Sequence, residues 1–77
     1  MKEFYFLSLN NYDIIAREID NDIFNCVFIF SDRLEFHENK QLSMENAEPM
    51  PYKEVVGALD DIYYSKFGDE SLKILKM

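Results

Sequence analysis

The side chains of this chain that could do chemistry are few: one cysteine, one histidine and an excess of carboxylates. A nucleophile needs a base, and His37 is the only imidazole available to serve Cys26. A Cys26–His37 pair is geometrically open across neighbouring strands. Cys26, however, lies in the middle of "IFNCVFIF" (Ile23 to Phe30), where a cysteine ordinarily behaves as a small hydrophobe. In "SDRLEFHE" the alternation of a strand places Arg33, Glu35 and His37 on one face. One histidine with one carboxylate is half of a metal site, which a symmetric dimer could complete; the ordinary reading is a solvated ladder of charges. The two glycines, Gly57 and Gly68, stand too far apart for a phosphate-cradling loop. Asp60-Asp61 and Asp69-Glu70 are adjacent pairs whose members diverge on a helix, and no pocket is visible that would raise the pKa of one partner. No catalytic residue, metal site or cofactor is expected, and the chain does not read as an enzyme.

The carboxylates read better as a surface. "ALDDIYYSKFGDES" (Ala58 to Ser71) sets four acids beside two adjacent tyrosines, and the span Glu45 to Glu70 holds seven acids against Lys53 and Lys66. A one-sided helix cannot bury both tyrosines. The spacing sends Tyr63 to the core and Tyr64 outward, where an exposed tyrosine rimmed by carboxylates has the composition of an interface anchor. Asp60 and Asp61 fall in the second half of the predicted helix, against the macrodipole. Gly57 on the outer face weakens the helix by about 1 kcal/mol relative to alanine. It either admits a partner close to the backbone or packs against a loop. The expected partner-binding set is Glu54, Gly57, Asp60, Asp61, Tyr64, Asp69 and Glu70.

These residues need a scaffold, and 77 residues allow one domain. Hydrophobic residues are 48% of the chain, with twelve Phe and Tyr, so a packed core is expected rather than disorder. A single cysteine excludes an internal disulfide and fits a reducing compartment. Fifteen acids against eight bases give a net charge of −7. That balance disfavours direct binding to nucleic acid or to an anionic membrane and suits a basic protein partner, though it also serves simple solubility. "MKEFYFLSLNN" lacks the longer apolar core and cleavage site of a secretory signal, and no window is apolar enough to span a membrane. A cytoplasmic protein is expected.

The elements follow from pattern. "FYFLSL" ends at Asn10-Asn11, residues that favour tight turns, and predicts a strand over 3–9. "YDIIAREI" could be a helix, but Ile14-Ile15 and the short turn "DND" favour a strand over 12–19 in a hairpin. "IFNCVFIF" predicts a strand over 23–31 buried on both faces, and the alternation of "RLEFHE" a half-exposed one over 33–38. Residues 39–50 read as a loop, with Leu42 and Met44 as its candidates for contact with the core. Pro51 suits a helix start, and Tyr52, Val55, Val56, Leu59, Ile62, Tyr63 and Phe67 recur at helical spacing over 51–67. Gly68 suits the stop, and the tail 69–77 fits either a strand or a short helix. The expected fold is α+β: an antiparallel meander of three to four strands in two layers with one C-terminal helix.

The function expected from these features is protein binding by a small acidic domain. Size and charge suit an inhibitor, an immunity-type protein or a phage- or prophage-encoded modulator that occupies a basic, nucleic-acid-binding site on its partner. The alternative is a self-associating structural or accessory protein, a homodimer pairing through "IFNCVFIF" or "FYFLSL".

Overall fold

The computed structural model describes residues 3–77. Four strands run as an antiparallel meander: β1 (Phe4–Ser8), β2 (Asp13–Asp20), β3 (Ile23–Ile29) and β4 (Leu34–Gln41). A fifth, β5 (Glu48–Met50), returns to the far side of β1, giving the order β4-β3-β2-β1-β5. The expected two-layer α+β architecture is present, with one strand more than the three to four predicted. The stretch expected over 12–19 forms a strand, Asp13–Asp20, not a helix. The stretch 39–50 is not all loop, because β4 runs on to Gln41 and β5 forms near its end. Pro49 lacks an N–H and so suits an outer strand; it pairs opposite Tyr5.

Register assigns the side chains to two faces. Phe4, Phe6, Ile15, Val27, Ile29, Leu34 and Phe36 share the face beneath the helix, where Ile15 and Val27 are fully buried. Burying an aliphatic side chain of this kind contributes about 1.5–3 kcal/mol. On the opposite face Ile14, Ala16, Phe24 and Cys26 form a second cluster, with Tyr5, Leu7, Tyr12 and Phe28 packed around it. No helix among the described residues covers this face. The connection from β4 to β5 crosses it, and Leu42 and Met44 pack onto the cluster as their apolar character suggested. β3 thus has buried residues on both faces, as its apolar run, interrupted only by Asn25, requires.

The turns use left-handed residues at other places than Asn10-Asn11. Leu9 N–H donates to Tyr12 C=O at 2.9 Å without a positive φ between them. Positive φ falls instead at Asp22 in the β2–β3 turn and at Asn39 in β4. At Asn39 the β3–β4 register slips by a residue, and Asn25 Oδ1 accepts from the Asn39 N–H at 3.1 Å.

The helix is one continuous rod with a changed pitch in its middle. It begins as α1 (Tyr52–Ala58), widens to a π turn at Leu59–Tyr63 and resumes as α2 (Tyr64–Phe67). Pro51 caps the start, its carbonyl accepting from the N–H groups of Glu54 and Val55. The core residues Val55, Leu59 and Tyr63 are spaced strictly by four. On 3.6 residues per turn that spacing drifts by about 40° at each step. A π turn advances less per residue, takes up the drift and keeps all three on the sheet. Its cost is the phase of the other positions. Ile62, expected in the core, is 57% exposed. Tyr52, expected on the same stripe, is 51% exposed at the first residue of α1, ahead of the π turn and so not through its pitch.

Gly68 ends the rod with φ 63° and ψ −144°, a conformation that glycine alone adopts readily. The tail that follows is a 3-10 helix, Gly68–Lys76, which buries Ser71 and Ile74. Ser71 Oγ donates to Gly68 C=O at 2.7 Å, so this fully buried hydroxyl is satisfied beside the chain reversal. No helix among the described residues is long and apolar enough to cross a membrane.

Candidate functional site

The predicted binding residues all lie on the rod or just beyond it. Glu54, Asp60, Asp61, Tyr64, Asp69 and Glu70 are exposed, and Gly57 is half-buried. They do not have equal reasons to be there. Asp69 and Glu70 occupy the first turn of the 3-10 helix, with Lys73 and Lys76 in its last, an order that favours the segment's own dipole. Asp69 also accepts a hydrogen bond from the Tyr64 hydroxyl at 3.1 Å. That bond holds Tyr64 protonated and pushes its pKa above the ordinary tyrosine value.

Asp60 and Asp61 make no side-chain hydrogen bond or ion pair with any described residue. They sit in the π turn, immediately before the outward-turned Ile62. With Tyr64 48% exposed, two large apolar side chains stand in solvent within three positions, next to two unpaired carboxylates. Ile62 and Lys66 also wall a groove of 290 Å³ against the β1–β2 turn, where Leu9, Asn10 and Asn11 form the opposite side. Sequence reasoning missed Ile62. The available signal was the strict spacing of four at Val55, Leu59, Tyr63 and Phe67, which an unbroken α-helix cannot hold on one face.

No described residue beyond its own helix backbone and chain neighbours approaches Gly57. A Cβ built there would meet no atom within 4 Å, so the alternative in which Gly57 packs against a loop is corrected: the space above it is open.

The reactive side chains lie on the sheet instead. Cys26 and His37 are cross-strand partners, as their spacing allowed. Cys26 is fully buried, however, and burial pushes its thiol above the usual value, with Lys40 opposing weakly. A poised nucleophile needs the opposite shift. His37 packs its ring 4.9 Å from Phe28 and places Nε2 3.8 Å from Glu35 Oε1. Arg33 Nε donates to the other oxygen of Glu35 at 2.8 Å, and its guanidinium lies 4.1 Å over the Phe30 ring. The arrangement is the charge ladder read from "RLEFHE". Among the described residues no group of three His, Cys, Asp or Glu side chains is placed to hold a metal ion.

The edges of the sheet correct one further expectation. β3 lies between β2 and β4, and β1 between β2 and β5, so "IFNCVFIF" has no free edge and "FYFLSL" is flanked from Phe4 to Phe6. The long free edge belongs to β4, which carries Glu35, His37, Glu38 and Lys40 and the irregularity at Asn39, features that discourage edge pairing. A scan of the chain against protein-family models finds no match, and searches of the curated proteins and of the solved structures find none either.

Proposed function

We propose that the protein is a small acidic binding protein that docks the outer face of its helix on a basic site of another protein. The observation that carries this reading is the π turn. It turns Ile62 out of the core between Asp60-Asp61 and Tyr64, and π turns recur at functional sites because they cost helix stability. An apolar centre of Ile62 and Tyr64 with an acidic rim matches the composition of interface anchors, and the net charge of −7 steers a cationic partner towards it. Open space above Gly57 lets such a partner approach the backbone. A domain with this surface suits an inhibitor, an immunity-type protein or a phage- or prophage-encoded modulator in the cytoplasm, acting on a partner whose basic site also accepts nucleic acid.

The test compares two baits in lysate of the source organism, wild type and the double variant Asp60→Lys/Asp61→Lys, at matched circular dichroism. The expected outcome is a basic protein held by the wild type and lost by the variant, with nucleic acid competing for the same site. Equal retention by both baits overturns the proposal. Self-association is the second class of function, and light scattering at high concentration decides it: a dimer that survives reversal of Asp60 and Asp61 moves the function away from the helix.

A further inference from the structure

A cavity of 530 Å³ beside Arg17, between Phe4, Met50 and Tyr52, is chiefly apolar, and the Arg17 guanidinium already donates to the Met77 main-chain oxygen. A second cavity of 530 Å³ lies on the opposite sheet face and has a different chemistry. It opens where the chain leaving β4 turns onto the sheet, a course fixed by Leu42 N–H donating to Asp22 C=O at 3.3 Å. Its apolar walls are Tyr5, Phe24, Leu42 and Met44. The Tyr5 ring stands edge-on to Phe24 at 6.1 Å, and its hydroxyl donates to Glu3 Oε2 at 3.1 Å, so the aromatic wall is held at both ends.

The polar wall is acidic. Glu18, Asp22 and Glu45 come from β2, the β2–β3 turn and the chain after β4, and no basic side chain among the described residues borders the cavity. No described side chain makes a hydrogen bond or ion pair with these three carboxylates. Glu18 N–H donates to Glu3 C=O at 3.2 Å, which sets two like charges on neighbouring strands, an unfavourable pairing. Lys40, opposite Phe24 in the register, does not offset them: its ammonium nitrogen lies 5.9 Å from the centre of the Phe28 ring. The Tyr5 phenol is pushed above its ordinary pKa by its hydrogen bond to Glu3, then by burial and by the charges of Glu3 and Glu18. A negative field therefore crosses the aromatic wall. Among the described residues no three His, Cys, Asp or Glu side chains converge closely enough to hold a metal ion, so the carboxylates are spread around the cavity. A compact cation meets them one at a time, whereas an extended one meets several together.

We infer that this cavity binds a linear aliphatic polyamine, with its methylene segments against Tyr5, Leu42 and Met44 and its ammonium groups on Glu18, Asp22 and Glu45. Ammonium groups donate charge-assisted hydrogen bonds to carboxylates, and one placed over the Tyr5 ring is attracted by its face as well. A chain that interleaves methylenes with charges matches walls that set apolar side chains among acids. The site lies across the sheet from the helix that carries Asp60 and Asp61 and does not depend on that surface.

The experiment titrates the full chain with spermidine and with 1,8-octanediol, an uncharged chain of similar length, following the Tyr5 ring and Met44 methyl signals by NMR at roughly physiological salt. Spermidine is expected to saturate both signals at sub-millimolar to millimolar concentration, the diol to bind about tenfold more weakly. Glu18→Gln/Glu45→Gln keeps the side-chain shapes, removes two charges and is expected to weaken spermidine about tenfold. Glu38→Gln/Glu48→Gln removes as many charges away from the cavity and is expected to change binding by less than about twofold. Should Glu18→Gln/Glu45→Gln fail to fold, Glu45→Lys, at an exposed position, puts a cation on the rim and is expected to abolish binding. Equal losses in the two double variants show only diffuse attraction to the net charge of −7 and overturn the inference. Equal affinity for the diol, binding that survives Glu45→Lys, or no signal change with millimolar spermidine overturns it too. Tighter binding of a trilysine peptide than of spermidine assigns the groove to a protein partner and likewise overturns it.

Discussion

The Tyr64 hydroxyl donates to Asp69 Oδ1 at 3.1 Å, a bond that spans Gly68 and ties the end of the rod to the tail. It joins an exposed aromatic of the proposed interface to an acid from the neighbouring helix, and its first consequence is on titration. The bond and the negative charge of Asp69 both favour the neutral phenol, so Tyr64 is expected to lose its proton above the ordinary tyrosine range. Asp69→Asn removes the charge and is expected to bring the Tyr64 ring titration back down, as followed by NMR of the ring protons. The sign follows by linkage. A folded-state pKa raised above the unfolded one contributes stability at pH below the unfolded value and loses it as pH rises through the folded value. The contribution is therefore intact at neutral pH, and its loss is confined to the alkaline limb. A Tyr64 ring that titrates at the same pH in both proteins contradicts the bond.

The two glycines are expected to respond oppositely to alanine. Gly57 sits in a helix with open space where a Cβ would go, so Gly57→Ala is expected to stabilise the fold by about 0.5–1 kcal/mol. Gly68 also has open space around it, but its φ of 63° is what alanine resists, and Gly68→Ala is expected to cost about 1–3 kcal/mol. Urea midpoints read both changes. A Gly57→Ala protein that gains stability yet loses its partner places the partner against that stretch of backbone. Loss of stability instead shows that the space is occupied.

Leu59 and Ile62 test the phase of the π turn. Leu59 is 2% exposed, and its truncation to alanine is expected to cost about 2–5 kcal/mol. Ile62→Ser is expected to fall within about 0.5 kcal/mol of wild type, as surface changes do. In a regular α-helix the two positions lie near each other on one face, and both would be costly. Comparable losses at Leu59 and Ile62 in thermal unfolding therefore rule out the π turn, and with it the exposed apolar centre of the proposed interface.

The first four strands were legible because their local patterns agree with their global setting. "IFNCVFIF" is apolar on both sides since both its faces are covered, and "RLEFHE" alternates since one is not. β5 was not legible: Glu48, Pro49 and Met50 carry no strand signal, and their place is set by pairing with Phe4 to Phe6, more than forty residues away in the chain. Long-range pairing of that kind leaves no local trace. Ile62 was misplaced for a different reason. Counting it with Leu59 and Tyr63 assumes one constant helical period, and the strict spacing of four in the core breaks that period. Of the candidate site, the exposed acids and Tyr64 could be read from polarity and spacing. The cavity beside Arg17 could not, because Phe4, Met50 and Tyr52 converge on it only in three dimensions.

Cys26 is the last point at which charge and burial can be set against each other. It lies between Ala16 and His37 in the sheet, fully enclosed, and burial outweighs the opposing influence of Lys40 to raise its pKa. Alkylation by iodoacetamide is therefore expected to be far slower in the native protein than in urea, with its pH midpoint above the roughly 8.5 of a free thiol. The stability effect has the same sign as for any raised acid. The neutral thiol contributes fully below the unfolded value and is lost as pH rises through the folded one, so the advantage of wild type over Cys26→Ala should shrink above about pH 8.5. Cys26→Ser is expected to cost about 1–3 kcal/mol by burying a hydroxyl where Cys26 makes no hydrogen bond. Rapid native alkylation near neutral pH would show instead a thiol that is accessible and ionised, and would return the Cys26–His37 pair to the list of reactive groups.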